Sequence, residues 1–278
     1  MQHLALNCAG RNLVLDHTLV MGILNATPDS FSDGGQWTEK NHAVRHAVEM
    51  ARAGADIIDI GGESTRPGSV DVELQQELDR VIPLVEAVVL ETGLPVSIDT
   101  SKPEVMSAAV QAGAGMINDV FALRRRRALE TAAGLSVPVC IMHMQGKPRE
   151  MQHDPAYDDV AGEVLDFLLA RAGDCERAGI PARQIVIDPG FGFGKSLQHN
   201  IDLFHALPRL VATAYPVLVG ISRKSMLGQL TGRPVDQRLH ASLSAAVLAA
   251  LAGVAIVRVH DVAATVDALR IVNALQSD

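Results

Sequence analysis

The sequence predicts an α/β protein, a (β/α)8 TIM barrel whose bottom is closed by an N-terminal β-hairpin. Eight apolar stretches have the character of strands, and each ends in a polar residue followed by a turn. Helical patterns lie between them, and alternating strands and helices build a parallel sheet covered by helices. Eight such units in 278 residues predict a single domain spanning residues 1–278.

The predicted strands share an apolar, often β-branched interior and a turn-forming end. They are Val20 to Ala26, Ala55 to Gly61, Pro95 to Thr100, Gly115 to Val120, Pro138 to Met144, Gln184 to Asp188, Pro216 to Ser222 and Ala255 to His260. The clearest helical patterns are Thr38 to Ala53, Pro103 to Ala112, the long capped helix Tyr157 to Ala178, and His240 to Ala252. Before all of these, Leu4 to Asp16 alternates apolar and polar residues around Gly10-Arg11, which predicts the hairpin.

The composition is that of an ordinary globular protein and argues against several classes. The chain is 48% hydrophobic and 20% charged, and no apolar run reaches the ~18 residues that a membrane span needs. A net charge of −8 argues against nucleic-acid binding, and we interpret the run Arg124 to Arg127 as a solvated loop before the fourth helix. The N-terminus has no signal-peptide pattern and the three cysteines have no CxxC spacing, so we expect packing cysteines in a cytoplasmic protein.

The loop after the first strand is rich in turn formers and side-chain oxygens. It begins at Asn25 and continues as NATPDSFSDGG. A surface loop is the simple interpretation, but this fold places its chemistry in the loops at the C-terminal mouth of the barrel. Asn25, Asp29 and Asp33 offer oxygens suited to Mg²⁺ and a polyphosphate.

The loop after the second strand, GGESTRPG, presents Thr65 and Arg66 just before Pro67 turns the chain. The arginine indicates an anionic ligand. Asp59, inside the second strand, is interpreted as a supporting partner of site residues and not as a ligand contact.

The third and fourth strands also end in polar residues. Asp99 ends the third strand, and Thr100 or Ser101 is expected to cap a helix with Pro103 in its first turn. The fourth strand ends in Asn118.

Three histidines are assigned no chemistry. His143 lies between Met142 and Met144 and is expected to be a satisfied buried side chain. His42 and His46 have i, i+4 spacing but no acid between them, so we place them on the surface.

The sixth strand delivers Asp188 to the segment VIDPGFGFGKS. This segment is not a phosphate-binding P-loop, because Pro189 stands where that motif needs a glycine. The dinucleotide spacing also fails, since Lys195 and Leu197 occupy the third-glycine positions.

The polar residues at the strand ends form a set that converges on one mouth of the barrel. Its members are Asn25, Thr65, Arg66, Asp99, Asn118, Asp188, Lys224, Arg258 and His260. Asp99, Asn118 and Asp188 suit a flat heterocycle rich in donors, because a carboxylate can accept two parallel N–H bonds. Arg258, His260 and Asn25 suit an anionic leaving group near the usual phosphate region of a barrel. The residues alone therefore indicate an enzyme acting on a heterocycle that carries phosphate.

Seven motifs closely resemble, in order and spacing, the signature segments of the bacterial dihydropteroate synthases. They are MGILNATPDSFSDGG, GGESTRPG, VSIDTSKP, MHMQGKP, IDPGFGFGK, GISRKSMLG and VRVHDV. The resemblance implies a homodimeric, Mg²⁺-using transferase that joins 6-hydroxymethyl-7,8-dihydropterin pyrophosphate to p-aminobenzoate in folate biosynthesis. It also implies that the protein is a target of sulfonamides.

The resemblance further implies roles for individual residues. The pterin would be held by Asp99, Asn118, Asp188 and Lys224, with Met142 on the wall and Arg258 stacking over the ring. Pyrophosphate would bind Asn25, Arg258 and His260, with Mg²⁺ bridging to Asn25 and Asp33. The p-aminobenzoate site would be shaped by Thr65, Arg66, Pro67, Phe193, Lys224 and Ser225, with Phe31 and Pro67 at the outer rim. Catalysis would depend on Asp99, Asp188, Lys224 and Asn25, in a dissociative reaction in which pyrophosphate leaves first and electrostatic preorganisation dominates.

One departure from the family and three rival functions stay open at this point. The segment FALRRRR lacks the Pro-Gly often found there in similar proteins, so the resemblance does not predict the shape of the fourth loop, although the chemistry is unaffected. The rivals are a corrinoid-linked methyltetrahydrofolate methyltransferase, a Schiff-base aldolase using Lys224, and a pterin-binding protein without activity.

Overall fold

Eight parallel strands form a barrel in this computed structural model, which describes residues 4–26, 36–64, 71–146, 151 and 154–276. Neighbouring strands follow chain order around the sheet, and the last strand pairs with the first through Val259 and Gly22. The ring closes where Ile187 pairs with Val217, just before the short seventh strand of the barrel. The prediction of a (β/α)8 barrel is confirmed.

Two strands form the N-terminal hairpin and eight form the barrel. The strands are β1 (Ala5–Cys8), β2 (Arg11–Val14), β3 (Leu19–Asn25), β4 (Ile57–Gly61), β5 (Val96–Asp99), β6 (Met116–Asp119), β7 (Val139–Met142), β8 (Ile185–Asp188), β9 (Leu218–Val219) and β10 (Ile256–Val259). The α-helices of the described residues are α1 (Gln36–Arg52), α2 (Leu74–Thr92), α3 (Pro103–Gln111), α4 (Ala128–Leu135), α5 (Val160–Arg177), α6 (Leu197–His205), α7 (Leu207–Val211), α8 (Ser225–Thr231), α9 (Leu239–Leu251) and α10 (Val262–Gln276).

The hairpin β1–β2 closes the bottom of the barrel. Leu6 and Cys8 are buried in one apolar cluster with inward-facing residues from the starts of the barrel strands. The Gln184 side chain accepts a hydrogen bond from the Asn7 N–H at 3.0 Å and so ties the hairpin to the start of β8. Gly115 is required there, because a Cβ atom would lie 2.9 Å from the Cys8 backbone.

Alternation along each strand determines which residues reach the site. In β4, Ile58 and Ile60 face the helices and belong to the main apolar cluster, whereas Ile57 faces the barrel interior. Side chains alternate with period two, so Asp59 also faces inward, one layer above Ile57. In β6, Met116 and Asn118 are likewise two residues apart, so both face inward and Asn118 lies one layer above Met116. Polar residues of several strands therefore lie together at the upper end of the barrel.

The predicted start of the long helix is wrong. α5 begins at Val160 and not at Tyr157. The backbone N–H groups of Asp158 and Asp159 donate to Glu163 Oε1 at 2.8 and 3.1 Å, and this contact holds the preceding segment outside the helix.

The predicted cap of α3 is also wrong. Lys102 occupies the N-cap position and provides no side-chain cap. The Thr100 hydroxyl donates to Glu77 Oε1 at 2.6 Å, and the Ser101 hydroxyl donates to Asp119 Oδ1. Both hydroxyls therefore donate to tertiary contacts, and Thr100 Oγ1 reaches only the N-cap residue, by accepting the Lys102 N–H at 3.3 Å.

The fourth loop is held by the Asp119 carboxylate, which accepts the backbone N–H groups of Phe121 at 2.8 Å and Leu123 at 2.7 Å. Arg127 then lies at the N-cap of α4, as expected for a loop that leads into the fourth helix. The cysteines are buried and unpaired, and His42 and His46 are exposed, which confirms their predicted structural roles. None of the helices found among the described residues has the length and apolar character to cross a membrane.

Candidate active site

An arginine bridges two buried carboxylates at the upper end of the barrel. Arg258 Nε donates to Asp59 Oδ2 at 2.6 Å, and its Nη2 donates to Asp99 Oδ2 at 2.9 Å. Asn118 Nδ2 donates to the same oxygen of Asp59 at 3.2 Å. Four strands, β4, β5, β6 and β10, thus meet in one hydrogen-bonded group, and Asp59 contacts residues predicted to bind ligand.

One guanidinium pairs with two carboxylates in this group, so the positive charge of Arg258 does not balance the negative charges of two ionised aspartates. Burial raises the pKa of Asp99 to about 7, against the opposing effect of Arg258, and the neighbouring Asp59 carboxylate raises it further. For Arg258 burial acts to lower the pKa, but Asp59 and Asp99 outweigh it and the pKa is raised. The guanidinium is therefore a permanent cation beside an acid that titrates close to neutrality.

Asp188 and Lys224 form a second polar group. Asp188 is buried at the end of β8, and its Oδ1 accepts the Gly190 N–H at 2.7 Å. Lys224, at the N-cap of α8, donates to the Phe191 carbonyl, and its ammonium lies 4.5 Å from the centre of the Phe193 ring.

Burial and mutual attraction set the protonation of this pair. Burial raises the pKa of Asp188, opposed by Lys224 and by the Gly190 N–H. Burial lowers the pKa of Lys224 to about 8, where Asp188 opposes the effect and Arg258 adds to it. Arg258 thus acts electrostatically on both members of the second group, which indicates that the two groups lie close to each other.

An apolar wall flanks these polar groups. Met142 is buried in a small cluster with Val120, Met144 and Met151, and Phe121 and Phe193 pack against it. The structure therefore brings together Met142 and Phe193, which the sequence places 51 positions apart. A flexible thioether and an aromatic ring are suited to contact with a flat heterocycle.

The remaining described site residues lie at the ends of neighbouring strands. His260 follows β10, and its Nδ1 lies 3.0 Å from the Ser222 hydroxyl, which also accepts the His260 backbone N–H at 3.2 Å. Asn25 ends β3, which pairs with β10, and it is half-buried. Ser225 is the exposed first residue of α8.

Several predicted site residues lie outside the described residues. They are Asp29, Phe31, Asp33, Thr65, Arg66 and Pro67.

The sequence matches the family of pterin binding enzymes over residues 21–260. It is 51% identical over 268 residues to the dihydropteroate synthase of Escherichia coli (strain K12), a match that covers 96% of this chain and 95% of that relative. The chain belongs to the dihydropteroate synthases of the pterin-binding enzyme family. This membership agrees with the resemblance found in the motifs and favours it over the three rival functions.

Solved dihydropteroate synthases have the same fold. The Xanthomonas albilineans enzyme with 4-aminobenzoic acid is 54% identical, with a TM-score of 0.95 and coverage of 100% of both chains. The same organism's enzyme in complex with 7,8-dihydropteroate is 53% identical, with a TM-score of 0.91 and 99% coverage of each chain. The Yersinia pestis enzyme in a sulfonamide drug complex is 49% identical, with a TM-score of 0.94, and covers 99% of this chain and 100% of that one.

Two residues beside the candidate site were missed in the sequence. Ser222 contacts His260, and the buried Lys195 contacts the loops that follow β7 and β8. The available signal for Lys195 was its charge within a glycine-rich, otherwise uncharged segment after Asp188.

Proposed function

We propose that the chain condenses 6-hydroxymethyl-7,8-dihydropterin pyrophosphate with p-aminobenzoate and releases 7,8-dihydropteroate and pyrophosphate, a step of folate biosynthesis. The main structural support is the convergence of Asp99, Asn118 and Asp188 around Arg258 at the upper end of the barrel. The family membership and the activity named for its relatives support the same reaction.

The pterin would lie between these polar groups and the wall formed by Met142. Asp188 would accept two N–H bonds from the aminopyrimidinone edge, because a carboxylate has lone pairs on both oxygens. The Asp188–Gly190 hydrogen bond holds that carboxylate in one orientation before the ligand arrives. Asp99 and Asn118, orientated by Arg258 and Asp59, would bind the other donors and acceptors of the ring.

The pyrophosphate end would lie near Asn25, Arg258 and His260. In the reaction, the bond between the pterin methylene carbon and the pyrophosphate oxygen breaks, and both electrons leave with pyrophosphate. The buried carboxylates would stabilise the resulting pterin-methyl cation. The p-aminobenzoate nitrogen then attacks the methylene carbon and loses a proton, with Phe193, Lys224 and Ser225 lining the arylamine site.

Mg²⁺ is proposed as the cofactor, and Asn25 would hold it together with Asp33, which lies outside the described residues. One or two protein oxygens fit Mg²⁺, because this ion usually takes its other ligands from substrate phosphates and water. Among the described residues no group of three or more His, Cys, Asp or Glu side chains could hold a metal. Bound by Asn25 and Asp33, the ion would neutralise charge on the leaving group.

Pyrophosphate release tests the proposed reaction. We expect rapid release, with formation of dihydropteroate, only when both the pterin pyrophosphate and p-aminobenzoate are present. Each substrate alone is the control. Absence of release in the complete mixture, or release that p-aminobenzoate does not accelerate, would contradict the proposal.

The order of binding provides a second test. If the leaving group organises the loops, p-aminobenzoate binds weakly to the free enzyme and much more tightly with pyrophosphate, Mg²⁺ and a pterin present. Calorimetry would measure both affinities, and His260→Ala and Asn25→Ala should reduce the difference. Equal affinities in the two states would argue against an ordered site.

We also propose that the chain acts as a homodimer in the cytoplasm, with residues 1–278 as one domain. Exposed apolar side chains on the neighbouring helices α9 and α10 would pack against a second copy; they are Leu248, Leu251, Ile271 and Leu275. The unpaired cysteines suit a reducing compartment. Light scattering should give twice the chain mass, and a monomeric mass would contradict the dimer.

A further inference from the structure

Lys195 is a buried lysine with a complete set of hydrogen-bond acceptors. Its side chain lies among the loops after β7 and β8, and the residue is 3% exposed. The Nζ atom lies 3.0 Å from His143 Nδ1, 3.0 Å from the Gly190 carbonyl oxygen and 3.1 Å from the Phe193 carbonyl oxygen. An ammonium group has three N–H donors, so each donor has one acceptor.

The glycines of the loop after β8 turn its carbonyl groups toward the side chains of Lys195 and Lys224. Gly190, Gly192 and Gly194 have φ values of 69°, 79° and 62°, in the left-handed region that favours glycine. The Gly190 and Phe193 carbonyls accept from Lys195, and the Phe191 carbonyl accepts from Lys224. The loop thus wraps around two ammonium groups, one in the proposed site and one behind it.

Lys195 also joins this loop to the loop after β7. His143 precedes Met144 of the apolar wall, and a Cβ atom on Gly190 would lie only 1.9 Å from the His143 carbonyl oxygen. The two loops are therefore in direct contact, and the Lys195–His143 hydrogen bond crosses that contact.

The contacts of Lys195 fit a charged ammonium beside a neutral His143. Burial, Lys195 and Arg124 lower the pKa of His143 to about 3, so its ring is neutral at neutral pH. Burial lowers the pKa of Lys195 to about 7, against the attraction of Asp188, so the ammonium is charged below that pH. Its three donors then match the two carbonyl oxygens and His143 Nδ1, with the histidine in the tautomer that leaves Nδ1 free to accept. Among the described residues, the titratable or charged groups near Lys195, His143 and Asp188 include Lys224, Arg124, Arg258 and Tyr157.

Given the proposed function, we infer that Lys195 is a positioning residue for the pterin: it locks the loops after β7 and β8 together and places a buried positive charge on Gly190, whose N–H binds the Asp188 carboxylate. Its ammonium does not contact the ligand. It acts through the Phe193 carbonyl, which orientates the aromatic wall, and through its attraction for the Asp188 carboxylate.

The test compares Lys195→Met with Tyr157→Phe. Methionine keeps the length of the side chain but removes the charge and all three donors. Tyr157→Phe removes a neutral anchor of the same loop, because the Tyr157 hydroxyl donates to the Gly194 carbonyl at 2.8 Å. A role in loop stability alone would make the two variants similar, whereas a role through charge affects only Lys195→Met.

The measured quantity is the affinity for 6-hydroxymethylpterin between pH 5 and 9, by calorimetry. Asp188 must be ionised to accept the ligand's N–H bonds, and loss of a nearby cation raises a carboxyl pKa. We expect the acid limb of the binding profile to move up by about one pH unit in Lys195→Met, the lower end of the effect of an opposite charge. The limb should not move in Tyr157→Phe. An unmoved limb in Lys195→Met, or an equal shift in both variants, would overturn the inference.

A second pair of variants applies if Lys195→Met does not fold. His143→Asn keeps an acceptor for the ammonium, and His143→Leu removes it. We expect the acid limb to shift upward in the leucine variant and to stay unchanged in the asparagine variant; identical profiles would overturn the inference. The wild-type protein separates this result from the proposed function, because failure of wild type to bind the pterin or to release pyrophosphate would refute that function instead.

Discussion

Replacing Asp188 by asparagine changes one atom of a side chain on which the proposed pterin site depends. The Gly190 N–H donates to Asp188 Oδ1 at 2.7 Å in the buried end of β8. A buried N–H group that loses its acceptor is costly, so the asparagine side chain must keep its oxygen on Gly190. Its NH₂ group then faces the ligand, where the N–H groups of the pterin also point.

The magnitude follows from the bonds that are lost. Hydrogen bonds to a charged group contribute about 1.5–3 kcal/mol each, and the carboxylate would make two of them to the pterin. The combined loss of about 3–6 kcal/mol corresponds to a fall in affinity of roughly a hundredfold or more.

Calorimetric titration with a pterin analogue measures this fall. Asp202→Asn is a matched control, because Asp202 is exposed on α6 and the substitution removes the same charge. We expect affinity to be retained in the control and strongly reduced in Asp188→Asn, with both proteins folded. Nearly unchanged binding by Asp188→Asn would refute the assignment of Asp188 to the pterin.

Three further predictions concern stability and reactivity. The pKa of Asp99 is about 7 in the folded chain and 3.8 in the unfolded chain. Protonation of Asp99 therefore stabilises the folded chain; this stabilisation is complete below pH 3.8 and is lost as the pH rises through about 7. The free energy of unfolding of wild type, minus that of Asp99→Asn, should therefore grow by about 1–3 kcal/mol between pH 8 and 5; a constant difference in urea titrations would contradict this. Gly190→Ala should lower the free energy of unfolding by roughly 2 kcal/mol or more, because Gly190 has a positive φ and lies against the His143 carbonyl. The control is Gly134→Ala in α4, where a Cβ meets no other atom within 4 Å, and it should raise the free energy of unfolding by about 0.5–1 kcal/mol. Equal effects of the two substitutions would disprove the close approach at Gly190. Burial raises the pKa of Cys8 to about 12 and that of Cys175 to about 11, so a thiol reagent should label the native protein far more slowly than the unfolded one, and rapid native labelling would show that the cysteines are accessible.

The barrel could be predicted from the sequence because its signals are local. Each strand appears as a short apolar run that ends in a polar residue and a turn, and the eight repeats of this pattern specify the topology. The period of two along a strand also places Asp59, Asp99 and Asn118 inside the barrel once the strands are known. The ends of elements were less accurate: Thr100 and Ser101 have the composition of a helix cap, yet their hydroxyls bind Glu77 and Asp119 from other parts of the chain.

The sequence by itself thus determined the fold and predicted which polar residues lie at the ends of the strands. Only the tertiary structure decided how those residues are partnered: Arg258 pairs with Asp59, 199 positions away, and Lys195 is enclosed by its own loop and His143. The physical reason is that apolar periodicity acts over a few residues, whereas burial, pKa and ion pairing depend on which side chains the closed barrel brings within a few ångströms of each other. A lysine beside a serine in a glycine-rich segment has the pattern of an exposed loop, and it becomes a buried cation only because three glycines turn the carbonyl groups toward it and a second loop covers it.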